Sequence, residues 1–318
     1  MTTTELKPRP RLPDWLRIKL PVSDTFSQTR SLLDELKLHT VCESAKCPNH
    51  WECWAKGTAT FMIGGDRCTR ACGFCAVSTA KPLPLEADEP LRVAEATRRM
   101  RLRHVVITAV ARDDVKDGGA EHFRRTIEEV RRLNPKTAIE VLVPDFNDSD
   151  AAIEAVLSAN PHIFNHNLET VRRLTPQVRH RATYDRSLNV LKKARERSAA
   201  VLGRCNVEIQ AGSAQGRARS GAVRLYTKSG MMLGLGETEK EIVVAMEDLR
   251  AAGCDILTLG QYLQPTLKHL PVVEFVAPEQ FAALGRVARA MGFVHVASGP
   301  MVRSSYHADE FHAAAAHC

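Results

Sequence analysis

No apolar run in the sequence approaches the roughly 20 residues needed to span a bilayer, so a membrane-spanning role is not expected. The N-terminal stretch MTTTELKPRPRLPDWL lacks the apolar core of a secretory signal. It is also too rich in proline, and too poor in amphipathic pattern, for a transit peptide. No nucleic-acid-binding module is visible either. Lys and Arg number 44 against 37 Asp and Glu, a net charge of +7 that suits an acidic partner or simply a solvated surface. The basic residues at 98–99, 124–125 and 131–132 fall mostly on helical faces, and nucleic-acid binding is not expected. From these absences a cytoplasmic chain is expected.

What the chain does have is clustered cysteine. In a reducing compartment such clusters more often serve as metal ligands or catalytic thiols than as disulfides. Six of the nine cysteines lie between positions 42 and 75, in two unlike triplets. Cys42, Cys47 and Cys53 are spaced C-x4-C-x5-C; Cys68, Cys72 and Cys75 are spaced C-x3-C-x2-C. Cys205, Cys254 and Cys318 stand alone and read as ordinary buried or surface thiols.

Past the first triplet, strands and helices alternate. Apolar, β-branched runs occur at ATFMIGG (59–65), HVVITAV (104–110), TAIEVLVPDF (137–146), PHIFNHNL (161–168), LYTKSGMML (225–233) and DILTLGQYL (255–263). Between them Phe123, Ile127, Val130 and Leu133 recur at helical spacing, and Thr238 with Glu241 forms a capping-box signature. A further helical pattern at 277–292 ends on Gly292. Six strand–helix units predict a parallel sheet, an open (β/α)6 version of the eight-unit barrel, with extensions at both ends. Chemistry belongs at the C-terminal ends of such strands, and the second triplet lies in the loop after the first. The expected division is an extension at 1–58 carrying the first triplet, a partial barrel at 59–297, and a closing segment at 298–318. Residues 198–222 are Gly-, Ala-, Ser- and Arg-rich without clear period and read as a surface insertion.

Three thiolates are one short of the usual structural zinc site, and neither triplet has the paired arrangement of such a site. A four-iron cubane uses three thiolates differently, leaving one iron open for another ligand. Zinc or unrelated thiols remain the alternative for either triplet alone. The C-x3-C-x-Φ-C pattern, with Phe74 as its aromatic, resembles the cluster motif of the radical S-adenosylmethionine (SAM) enzymes, which are built on full or partial βα barrels. With CESAKCPNHWECW at 42–54, and with TKSGMMLGLGE, LGQYLQPTLKHLPV and SGPMVRSSYHADE further on, the chain resembles the lipoyl synthase family over about residues 12 to 310.

That resemblance implies two 4Fe-4S clusters. One, on Cys68, Cys72 and Cys75, binds the amino and carboxylate groups of SAM and cleaves it to a 5′-deoxyadenosyl radical. The other, on Cys42, Cys47 and Cys53, donates sulfur and is consumed, with its fourth iron on Ser304 of the RSSYH stretch. The alternative for Ser304 is simple capping of the chain end. The implied reaction inserts sulfur at C6 and C8 of a protein-bound octanoyl-lysine. The implied partners are octanoylated lipoyl carriers (glycine cleavage H protein, 2-oxoacid dehydrogenase E2 domains), a ferredoxin or flavodoxin as electron donor, and an iron–sulfur carrier that rebuilds the spent cluster.

Further residues are candidate SAM contacts. Gly230, Gly234 and Glu237 resemble a G-x-I-x-G-x-x-E motif near the adenine, or are turn glycines at a strand exit. Asn165, Asn167 and Glu169 emerge at a strand end, as do Arg112 and Asp114, which an ion pair would explain equally. Tyr262 and His269 are candidates for lining the octanoyl site, or structural. Ala111 stands where the family more often has Asp or Asn. A methylthiotransferase also uses two clusters, but its long N-terminal domain and RNA-binding module are not found here. A zinc-binding interaction protein is the reading from another class.

Overall fold

The structure is a computed structural model that describes residues 11–17, 24–211 and 225–305, with side chains to 198 in the last helix before 225. Parts of the expected segments at 1–58, 198–222 and 298–318 therefore lie outside the described residues. The N-terminal extension contains α1 (Asp24–Glu35), β1 (His39–Thr40), α2 (Val41–Ser44) and α3 (His50–Ala55). β2 (Thr60–Ile63) leads into a small parallel pair, β3 (Arg67–Cys68) and β4 (Ser78–Thr79), followed by α4 (Glu89–Arg99). The alternation continues through β5 (His104–Ala109), α5 (Ala120–Leu133), β6 (Ala138–Leu142), α6 (Asp150–Ser158) and β7 (Ile163–Asn165). Then come α7 (Thr175–Val178), α8 (Tyr184–Ala211), β8 (Tyr226–Leu233), α9 (Glu239–Ala251), β9 (Ile256–Gln261), α10 (Pro278–Ala290) and β10 (His295–Ser298).

The main sheet runs β1-β2-β5-β6-β7-β8-β9-β10, parallel throughout except for β1 against β2. Six strand–helix units plus a closing strand make a partial barrel, because β10 pairs with β9 and not with β2. The strands read as near-continuous apolar runs because both faces are covered, and β5 and β9 are buried almost throughout. Thr238 and Glu241 form the expected capping box, and Gly292 takes the left-handed conformation (φ +86°) just past α10.

Two elements differ from the sequence reading. β10 adds a seventh parallel strand, whose HVAS sequence is only partly buried and offers no continuous apolar run. α8 runs on to Ala211, into the stretch read as an insertion. A run rich in Ala, Leu, Arg and Glu has the intrinsic propensity to continue a helix even where no clear period marks it.

The barrel interior is not wholly apolar. Lys228 Nζ and Asn165 Nδ2 donate to Glu140 Oε1 at 2.8 and 3.0 Å, and His104 Nε2 lies 3.3 Å from Glu140 Oε2. Burial alone would raise the Glu140 carboxyl, but Lys228 and His104 overcome it and pull it down to about 2. Since the folded carboxyl titrates below its ordinary 4.5, the stability it contributes is complete above that pH and is lost as pH falls toward 2. Lys228→Met should strand the carboxylate and cost about 3–5 kcal/mol in chemical unfolding, with Glu140→Gln restoring much of it in the double variant. Equal stability of Lys228→Met and the parent would contradict the pairing. No helix among the described residues is long and apolar enough to cross a membrane.

Candidate active site

The loop carrying Cys68, Cys72 and Cys75 leaves the top of β2 and is clamped on three sides. Arg70 makes a bidentate pair with Asp113 (2.9 and 2.7 Å) and reaches Asp145 at 2.7 Å. Gly73 N donates to Val178 O at 2.9 Å, and Leu270 N donates to Gly73 O at 2.9 Å. His269 Nε2 lies 2.9 Å from Cys75 O, with Nδ1 2.8 Å from Thr266 Oγ1. His269 thus holds the loop and does not line the cavity beneath it.

Backbone amides already point at these sulfurs. Cys68 Sγ accepts from Arg70 N and Ala111 N at 3.4 and 3.3 Å, and Cys72 Sγ accepts from His180 N at 3.4 Å. Such donors favour thiolate, yet burial pushes Cys75 up to about 12 and raises Cys72. A cation must therefore displace the protons of Cys72 and Cys75 for them to ligate.

The first triplet is built by the extension. Cys42 sits in α2, whose start is capped by Thr40; Cys53 sits in α3; Cys47 lies in the turn between. Burial lifts Cys42 to about 11 and Cys53 to about 12, with neighbouring thiols adding to both. Trp54, fully buried, anchors α3, with His50 edge-on at 4.3 Å. Asn49 Nδ2 donates to Met301 O at 2.8 Å, tying the extension to the C-terminal tail across the open side of the barrel.

The tail returns over the end of β9, where Gln261 N donates to Pro300 O at 3.2 Å. It delivers Ser304 to the barrel mouth: Ser304 Oγ lies 2.8 Å from Asn167 Nδ2 and 3.0 Å from Oδ1. Gly230 makes room, since a Cβ there would come within 2.5 Å of Thr258 Oγ1, 3.0 Å of Asn167 Oδ1 and 3.1 Å of Ser304 Oγ.

Two openings result. A cavity of about 490 Å³ at the C-terminal ends of the strands is lined by Cys68, Cys72, Cys75, Cys47, Asn167 and Ser304. Phe74, Glu169, Gly230 and Tyr262 also reach it, although the Tyr262 hydroxyl is committed to Leu270 O at 2.7 Å. A second opening of about 390 Å³ holds Cys42, Cys47 and Cys53 together with Arg303 and Ser305. Cys47 belongs to both, as do Arg303 and Ser305, whereas Ser304 lines only the first. Among the described residues no three His, Cys, Asp and Glu side chains converge on a single-ion position. The thiols stand around openings with room for a larger group, and their donor sets fit sulfur-bridged iron.

Other expected residues are not brought to the cavity. Arg112 is buried in a bidentate pair with Asp114 (2.9 Å each) and donates to Gly64 O and Leu83 O, so the ion pair is the structure's reading. Its neighbour Asp113 is the member of the RDD stretch that serves the loop. Gly234 (φ +99°) and Glu237 close the turn after β8: Glu237 accepts from Gly234 N, and from Leu235 N at 3.0 Å. Asn165 faces Glu140 in the barrel interior.

Sequence reasoning missed Arg179 and His166. Arg179 lines the cavity and is the cation that opposes the burial-driven rise of the Glu169 carboxyl. Glu169 is held in a left-handed conformation (φ +69°), a strained backbone typical of functional sites. His166 stays neutral, burial lowering it to about 4, with Nδ1 donating to Val143 O at 2.8 Å.

A partial βα barrel with a three-thiol loop over its mouth defines a radical SAM enzyme. A family model described as the radical SAM superfamily matches residues 62–207. Methylornithine synthase shares the fold at TM-score 0.52 and 12% identity, over 87% of this chain and 82% of that one. HydG, a hydrogenase maturase, does so at TM-score 0.52 and 14% identity, over 92% and 65%. The model for the N-terminal domain of lipoyl synthase matches residues 2–47. Curated lipoyl synthases from Shouchella clausii and Bacteroides thetaiotaomicron are 51% and 49% identical, covering 94% and 95% of this chain and 90% and 98% of their own. The chain belongs to the lipoyl synthase family.

Proposed function

We propose that this chain inserts two sulfur atoms, at C6 and C8, into an octanoyl group carried on a protein lysine. The observation that carries the reading is the shared position of Cys47, which opens onto the cavity of Cys68, Cys72 and Cys75 while belonging to the other triplet. Two sites meeting on one cavity suit a substrate that must be activated at one and sulfurated at the other.

Cys68, Cys72 and Cys75 would hold the cluster that binds SAM, and Cys42, Cys47 and Cys53 with Ser304 the cluster that gives up sulfur. When bound, these groups supply a radical able to break an unactivated C–H bond and the sulfur that replaces the hydrogen. The chain's own residues orient and enclose. Arg179 and Glu169 bring opposite charges to the wall, matching the zwitterionic end of SAM. Asn167 and Gly230 border the space beside them, and Asn167 holds the Ser304 hydroxyl until a ligand claims it. Val41, Met62, Leu142 and Val302 give the cavity an apolar side suited to an eight-carbon chain and poor in water.

The partners would be acidic lipoyl-bearing domains such as glycine cleavage H protein or 2-oxoacid dehydrogenase E2, for which a chain of net charge +7 is electrostatically matched. A ferredoxin or flavodoxin would supply electrons, and an iron–sulfur carrier would restore the donor cluster, all in the cytoplasm. Anaerobic incubation with SAM, reductant and an octanoyl-lysyl carrier peptide should add the mass of two sulfur atoms to the peptide. SAM cleavage with the octanoyl group unchanged, or a methylthio product, would overturn the reading.

A further inference from the structure

Among the described residues Arg303 is a cation without an anion. Gly260 on β9 has no side chain, and a Cβ there would collide with the Val302 carbonyl and come within 3.2 Å of Arg303 Nη1. The strand is therefore shaped to admit the tail and set this guanidinium between the two openings, both of which it lines beside Cys47. Nη1 is fixed by Val302 O at 2.7 Å and Pro300 O at 3.3 Å, both neutral carbonyls. Of the other arginines near the site, Arg70 and Arg112 each hold a carboxylate, and Arg179 has Glu169 as the main charge acting on it. Among the described residues Arg303 forms no ion pair, and the ionisable group that acts on it is the Cys47 thiol. Enclosing a charge without compensation is costly, and among the described residues the remaining N–H groups of the fork, Nε and Nη2, have no hydrogen-bond acceptor.

We propose that Arg303 is a positioning residue of the sulfur-donating site: it supplies the positive charge and N–H donors against which a net-anionic iron–sulfur cluster is held. The proposal rests on the assignment of Cys42, Cys47 and Cys53 to such a cluster. Three thiolates and an alkoxide outweigh the positive charge of a four-iron core, so the loaded site is anionic. Nearby charge and hydrogen bonds to sulfur set the potential of such clusters. A fixed cation favours the reduced, more negative state and raises that potential. It also opposes loss of the cluster until sulfur is withdrawn.

The test uses the full chain with Cys68, Cys72 and Cys75 all replaced by Ala, so that only the first triplet can be loaded. Its midpoint potential and rate of iron release to a chelator are compared with Arg303→Met and Arg303→Lys made in the same chain. Arg303→Met should shift the potential negative and release iron about 10- to 100-fold faster, the usual weight of a residue supporting metal ligands. Arg303→Lys should recover most of the potential but less of the retention, since the charge survives and the fork does not. That split separates electrostatics from packing, because a merely structural tail residue would not return the potential with its charge. If Arg303→Met loses its fold by circular dichroism, Arg303→Lys against Arg303→Gln decides, and only the charged variant should keep the parent potential. Unchanged potential and iron release in the uncharged variants would overturn the proposal while leaving the cluster assignment standing. Failure of the parent chain to take up iron and sulfide would overturn both.

Discussion

SAM cleavage is expected to fall to background when Cys72 is replaced by alanine. The thiol stands in a loop clamped by Arg70, Val178 and His269, so no neighbouring cysteine can move into its place. Its sulfur accepts the His180 amide at 3.4 Å, a contact made for thiolate, while burial holds the free thiol neutral. A cluster deprived of that ligand loses an iron or fails to assemble, and with it the open position at which SAM would bind. The assay is 5′-deoxyadenosine formed from SAM and reductant without any acyl substrate. Cleavage at the parental rate in Cys72→Ala would remove this triplet from the radical chemistry.

Cys47→Ala should give the opposite pattern, with SAM still cleaved and no sulfur reaching the acyl chain. The substitution leaves the clamp around Cys68, Cys72 and Cys75 untouched, because the Cys47 backbone contacts run to Cys42 and His50 in the extension. Iron content should drop from about eight per chain to about four, as each cubane holds four. Lipoyl product from Cys47→Ala at parental yield would place the sulfur donor elsewhere. The two variants together separate making the radical from supplying the sulfur.

How much of this was readable beforehand follows from what each signal reports. Buried parallel strands announce themselves as apolar runs, so β2 and β5 to β9 were legible, whereas β10, partly exposed and without an apolar run, was not. The grouping of the cysteines around two openings was legible because residues close together in one short segment stay together in the fold. Polar residues at strand ends were legible only in part, since a strand's exit gives no hint of which side chain turns inward: Asn167 and Glu169 reach the cavity, and Asn165 does not. Thus Arg112 and Asp114 close on each other while Asp113, between them, reaches Arg70. Gly230 and Gly234 sit in one motif, yet the first admits Ser304 and the second shapes a turn. Arg179 and Arg303 acquire meaning only through distant partners, Glu169 and Cys72 for the one and Cys47 for the other. Pairings of that length are made by the fold and leave no local trace. Ser304 was placed by family resemblance, and its contact with Asn167, across most of the barrel in sequence, is not a thing that spacing could suggest.

The central claim is that sulfur stored on the first triplet enters the substrate across the shared cavity. It is tested most directly by loading the protein with clusters made from heavy-isotope sulfide, removing free sulfide, and running a single turnover on an octanoyl-lysyl peptide. The account predicts that both sulfur atoms in the lipoyl product are heavy. A product carrying natural-abundance sulfur, formed while SAM is cleaved normally, would contradict it.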